Sequence, residues 1–314
     1  MRLRNKADIR SLVWVATAIG LVAAQYSNPS LVLYLSPLSC YLAISIGTIT
    51  HNHNHRPTFY GRRTNGVFGH VLTFFYGYPS MMWVPTHNLN HHKFVNRPGD
   101  ATATWRFTNK NNLWVALTYP FVSGFYQREP IQQYIERAKK RKPNLYTRIR
   151  IQYAIWISTY LLMGALAGFL YHNVQTGLGF YVFFFSVLLP AFLSTTVIMI
   201  FNFIQHVHTD AYSDEDHSRN FTGKWFNFLF FNNGYHTAHH DQPSLHWSKL
   251  PIAHAKIADS VNDTLNEKNL LWFVVRQYFL SPIFPSLATK QLGGQPADLA
   301  KDETKDNPAN AHAA

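Results

Sequence analysis

Ser30-Leu-Val-Leu-Tyr-Leu-Ser-Pro-Leu-Ser-Cys-Tyr-Leu-Ala-Ile-Ser-Ile-Gly-Thr-Ile-Thr50 runs without a charged residue straight into His51-Asn-His53-Asn-His55. The first part is long enough to cross the hydrocarbon of a bilayer as a helix, which takes about 20 apolar residues. The second part is a run of imidazoles placed at its end. The junction predicts a membrane protein with chemistry at the membrane surface.

Working outward, the whole of Ser11–Thr50 lacks Lys, Arg, Asp and Glu, and so does Ile151–Thr209. Each stretch has room for two spans, predicted at about 11–25, 30–50, 151–171 and 178–204. The mean hydropathy of −0.14 hides this, because the apolar residues are segregated. Charged residues make up 14% of the chain, well below the roughly 25% of a soluble domain. The turn Tyr26-Ser-Asn-Pro29 closes the first hairpin of spans. The basic lead-in to the first span also matches the start of a signal peptide, but a second span follows at once and no cleavage site stands between them.

Between the hairpins, residues 51–150 carry fifteen Lys/Arg against three Asp/Glu, whereas residues 205–314 carry nine against twelve. Two hairpins put both termini and both polar segments, 51–150 and 205–291, on one side. The Lys/Arg bias makes that side cytoplasmic. The net charge of +12 thus flanks apolar spans, and with no recognised module beside it nucleic acid is not an expected partner. Within 51–150, Gly66–Val84 and Asn112–Tyr126 are apolar but short and interrupted by Gly77, Pro79 and Pro120, as in re-entrant or interfacial helices. Glu129–Lys142 predicts a helix with a basic face. The single cysteine, Cys40, excludes a disulfide, a CxxC redox pair and an iron–sulfur cluster. Residues 1–291 are expected to form one membrane-embedded domain, and the small polar tail 292–314 to be disordered.

Ten of the seventeen histidines cluster in four places. These are His51-Asn-His53-Asn-His55, His87-Asn-Leu-Asn-His91-His92, Asn202-Phe-Ile-Gln-His206 and His236-Thr-Ala-His239-His240. On a helix, residues four apart lie about 40° apart around the axis. His51 and His55 therefore converge while His53 points away. The pairs His87/His91, His236/His240 and Asn202/His206 each share a face. Imidazole suits iron, copper, zinc and nickel. His51, His55, His87, His91, His92, His206, His236, His239 and His240 make nine candidate ligands, more than one four-coordinate zinc site uses and enough for two metals. No HExxH stands in the chain. Asp100, Asp210, Asp214, Asp241 and His246 lie near the boxes and are candidates to orient ligands. His53, His70, His172, His208, His217, His254 and His312 lack partner spacing and read as ordinary packing or surface residues.

The boxes HxxxH, HxxxHH and HxxHH, the additional NxxxH, and Gly234-Tyr-His-Thr-Ala-His-His followed by Pro243-Ser-Leu-His-Trp-Ser-Lys-Leu-Pro251 resemble the membrane fatty-acid desaturase and alkane-hydroxylase superfamily over roughly residues 12–280. The resemblance implies an all-α integral membrane fold, with four transmembrane helices under a cytoplasmic helical cap that holds a His-rich di-metal site. It also implies two irons on the nine histidines, Asn202 contributing through water, O2 as co-substrate, and a fatty acyl substrate and membrane lipid as partners. No catalytic side chain is expected beyond the metal centre. His53 inside the first box departs from the pattern.

The expected reaction is oxygen-dependent desaturation. Hydroxylation, or oxidative decarboxylation to a terminal alkene, would use the same site. The chain has no haem-binding domain and no dinucleotide fingerprint, so electrons must come from a separate donor such as ferredoxin or cytochrome b5. A non-enzymatic metal transporter would place ionisable residues within its spans. The predicted spans contain none before His206.

Overall fold

A computed structural model describes residues 2–294 of the chain. The remainder of the predicted tail, 295–314, lies outside the described residues. Four apolar helices are long enough to cross a membrane: α1 (Lys6–Ser27), α2 (Pro29–His55), α6 (Pro143–Tyr171) and α7 (Leu178–His206). All four run past the predicted spans. Helix continues into the polar flanks, so that α2 takes in His51 and His55, and α6 begins at Pro143, a residue suited to the first helical position. Between them lie α3 (Arg62–Tyr76), α4 (Leu113–Tyr126) and α5 (Arg128–Arg141). Strand structure among the described residues is a two-residue parallel pairing, Asn220–Phe221 with Asn266–Glu267.

The chain divides into two compact units, Met1–Trp83 with Gln133–Ile198, and Val84–Gln132 with Met199–Ala314. The first unit holds the apolar helices. Asn28 ends α1 and its side chain accepts from Ser30 N at 3.1 Å to start α2, the capping role for which asparagine is favoured. The fully buried Gln25 donates to Val32 O and accepts from Ser39 Oγ, so the polar groups inside this hairpin are paired. Ser194 Oγ donates to Ala43 O at 2.6 Å. A Cβ on Gly47 would stand 2.6 Å from Ile198, so α2 and α7 pack through small residues as membrane helices do. Only 6% of the apolar window of α6 is buried, and Leu161, Leu162 and Phe169 are exposed. A helix apolar all round with an open surface matches a lipid surrounding.

α3 stops at Gly77, whose φ of +87° favours glycine and whose Cβ position lies 2.8 Å from Ala191 O. The link that follows has its polar groups matched. Ser80 N donates to Thr73 Oγ1, Ser80 Oγ donates to Gly69 O, and the buried Gln152 of α6 accepts from Met81 N while donating to Ser80 Oγ. Irregular backbone at membrane depth requires such matching.

Candidate metal centre

In the first unit, His51 and His55 close α2 one turn apart, ring centroids 4.7 Å from each other. His51 also sits 5.3 Å from the Trp83 ring. His53 points elsewhere, as helix geometry predicts. Its Nδ1 lies 2.9 Å from Thr58 Oγ1 and its ring packs on Phe68, so it ties down the loop after α2.

The second unit opens with a π-helical stretch, Val84–His91, passing into a short turn His92–Phe94. Its i→i+5 winding changes the pairing expected from α-helical spacing. His87 and His91 do face alike, with rings stacked at 5.1 Å. Yet it is His87 and His92 whose Nε2 atoms meet, at 3.1 Å, a pair an α-helix would splay by about 140°. His239 Nε2 joins them, 3.1 Å from His92. His91 turns to a different group. Its Nε2 lies 3.1 Å from that of His206 at the end of α7. His206, His236 and His240 form a triangle of Nε2 atoms with sides of 2.9, 3.2 and 3.2 Å. Histidines that adjoin in the sequence, 91/92 and 239/240, therefore feed separate groups. Consecutive helical side chains diverge by about 100°, so each doublet can serve two ions and not one.

These groups do not behave as hydrogen-bonded imidazoles. His91 Nδ1 donates to Asp100 Oδ2 at 2.8 Å and His206 Nδ1 donates to His217 O at 3.1 Å. His206 Nε2 is then left without its own proton, and His91 Nε2 faces it at 3.1 Å. A nitrogen triangle cannot be satisfied by linear hydrogen bonds either. Protonation is disfavoured, because burial first, and then the neighbouring His92, His236, His91 and His206, hold the His240 imidazole well below its ordinary range. A cation bound by neutral nitrogens resolves all of this. Bonds of about 2.1 Å meeting at right angles put ligand nitrogens about 3.0 Å apart, and tetrahedral angles put them about 3.4 Å apart. The observed sides lie nearer the first. His91, His206, His236 and His240 are thus a set that could hold metal, and the other five box histidines are further candidate ligands.

Asp100 is fully buried. Burial pushes its carboxyl up, but the adjacent His91, with bonds from His91, Asn96 N and Thr102, outweighs burial and holds it at about 2. Thr102 donates to Asp100 Oδ1 from both N and Oγ1 at 2.7 Å. The Tyr119 hydroxyl donates to Thr102 O at 2.6 Å and accepts from Asn202 Nδ2 at 2.7 Å. Asn202 thus joins the ligand His91 through Tyr119 and Thr102. Asn96, at φ +63°, donates to His206 O at 3.0 Å. The buried Arg219 donates to Ile204 O and Val207 O, at 2.6 and 3.0 Å, on either side of His206.

α8 (His236–Asp241) is seated by Thr237, which bonds Asn220 through both N and Oγ1. Before it, Gly234 approaches so closely that a Cβ would lie 2.0 Å from Phe221 O. Spacing gave no hint of Tyr119, Thr102, Asn96 or Arg219, since none belongs to a box. His217, read as an ordinary residue, stands 5.5 Å from the His240 ring. Asp210 and His246 have local bonds: Asp210 Oδ1 accepts from Tyr212 N, and His246 Nδ1 meets Ser248. Asp214 O accepts from His217 Nδ1. His208 bridges Thr289 and Asn109.

With the histidine groups and their supports in place, comparison with known families decides the assignment. The fatty acid desaturase model matches residues 28–274. The chain belongs to the fatty acid desaturase family. The matched range of this desaturase-family protein contains both histidine groups, Asp100 and Arg219. No curated protein and no solved structure matches it. Family membership and the four apolar helices together mark a membrane-embedded, desaturase-type oxidoreductase with histidine clusters fit for metal.

Proposed function

We propose that the protein removes two hydrogens from a fatty acyl chain in an oxygen-dependent reaction at a pair of irons. His51, His55, His87, His91, His92, His206, His236, His239 and His240 would hold the two irons, with Asn202 acting through a water. The observation that supports this reading is the convergence of four imidazole nitrogens, from His91, His206, His236 and His240, inside the second unit, a donor set suited to the cations that imidazole prefers.

Bound iron would supply the oxygen activation that no side chain can perform. The protein's own residues do the rest. Asp100 and His217 O keep the Nδ1 protons of His91 and His206 in place, so the ligand nitrogens stay bare and aimed. Tyr119 fixes the amide of Asn202, leaving its oxygen to accept from a water. Trp83, 5.3 Å from His51, would help to keep bulk solvent away and position hydrocarbon.

Electrons come from a separate donor of the ferredoxin or cytochrome b5 class, which the basic segment 51–150 would attract if the donor is acidic. The Lys/Arg distribution supports a multi-pass arrangement in which both termini and the metal centre would be cytoplasmic.

Anaerobic reconstitution with ferrous iron and metal counting tests the centre: two irons per chain are expected, and one zinc would defeat the reading. Mass spectrometry of lipids from an expressing host tests the outcome. A loss of two hydrogens supports desaturation, whereas a gain of oxygen or a loss of carbon dioxide would reassign the same site to hydroxylation or decarboxylation.

A further inference from the structure

The first unit contains a groove of about 510 Å³ between α1, α3 and α6 that none of the chemistry above uses. Ile19, Val22, Val71, Phe74, Met163 and Leu166 line it, and its apolar walls offer nothing to a water molecule. Along α6 it runs from Ile155 to Leu166. That is a rise of about 16 Å, close to the roughly 15 Å of hydrocarbon in one leaflet.

Thr159 in its lining is already committed, its Oγ1 donating to Ile155 O at 2.6 Å, and an uncommitted polar group stands at one end. His70 is half-buried there, and its Nδ1 is buried without a hydrogen-bond partner. Burial and the charge of Arg148 both hold the His70 imidazole below its ordinary range, so it meets the groove neutral. Arg148 is exposed and lies seven residues, about 10 Å along α6, before Ile155. At the opposite end the Tyr26 hydroxyl is already committed to Met163 O at 3.1 Å.

We infer that this groove binds one membrane phospholipid with an anionic headgroup, its acyl chain lying along α6 and its phosphate held by Arg148 and His70. The charge of Arg148, which acts on His70 at this end, supplies charge complementarity, in a part of the sequence already rich in Lys and Arg that would attract anionic lipid. The apolar length matches one chain in one leaflet. The site is independent of the chemistry at the histidine groups, and its test needs no turnover.

The full-length protein is placed in nanodiscs of dioleoylphosphatidylcholine containing a phosphatidylglycerol with a photoactivatable diazirine in its acyl chain. Cross-links are expected on Ile19–Ala23, Val71 and Met163, displaced by unlabelled dioleoylphosphatidylglycerol and not by dioleoylphosphatidylcholine. Arg148→Gln, a change at an exposed position, should lower labelling roughly five-fold. Ala23→Phe should block it by filling the groove while leaving thermal unfolding near wild type. Labelling spread over the outer faces of all four apolar helices and indifferent to both variants would overturn the proposal. So would equal displacement by phosphatidylcholine, or displacement by oleic acid alone.

Discussion

His91 Nδ1 lies 2.8 Å from Asp100 Oδ2, and neither side chain is exposed to solvent. The pair makes Asp100 the residue that sets which nitrogen of His91 remains free for metal. Replacing Asp100 by Asn removes the charge and leaves the shape. Loss of such a partner commonly weakens metal binding by about 10–100-fold. Iron titration followed by optical or EPR spectroscopy should show the loss in the His91 group, with the other ion retained.

The same pair predicts a pH dependence of stability. The Asp100 carboxyl is held at about 2 in the folded protein, below the ordinary value of about 3.9. Its contribution is therefore fully present above about 4 and is lost as pH falls towards 2. Unfolding of apo wild type and apo Asp100→Asn should differ by a constant amount from neutral pH down to about 4, and the gap should narrow below that. A gap closing near pH 6 would contradict the assignment.

His91 and His92 adjoin in the chain and their Nε2 atoms go to different partners, His206 and His87. His91→Ala and His92→Ala should each lower the iron content from two to about one per chain, but with different spectra for the ion that remains. Identical residual spectra would mean that the doublet serves a single site.

Arg219 donates to carbonyls on either side of His206. Its removal leaves buried carbonyls unsatisfied, at a cost of about 1–3 kcal/mol. Arg219→Met should lower the thermal midpoint, and Arg219→Lys should recover part of it, because both bonds leave the single nitrogen Nη1 and an ammonium can also donate to two carbonyls. Full recovery by Lys would show that only the charge matters.

The Tyr119 hydroxyl links Asn202 to Thr102. Tyr119→Phe should cost about 1 kcal/mol of stability and lower activity more than it lowers iron content, since it releases Asn202 without touching a ligand. Unchanged turnover would remove Asn202 from the site.

Much of this was readable along the chain. The uncharged runs Ser11–Thr50 and Ile151–Thr209 located all four apolar helices, because exclusion of charge from hydrocarbon acts on every residue of a span. The histidine boxes announced a metal centre for a related reason: imidazoles are costly to cluster unless a cation repays them. Helix ends were harder to place, since α6 begins eight residues before its predicted span, where propensity and not hydropathy decides. The π-helical winding of Val84–His91 was also hidden, and with it the pairing of His87 with His92.

The sequence by itself determined that the protein is helical and membrane-embedded, and which imidazoles are available for metal. Those properties depend on composition and short-range periodicity. Only the tertiary structure decided which histidines meet, and that Asp100, Thr102, Tyr119, Asn96 and Arg219 support them. Hydrogen bonds between residues far apart in the chain, such as Asn96 to His206 O across 110 positions, follow from how the chain packs, and packing leaves no local pattern to read.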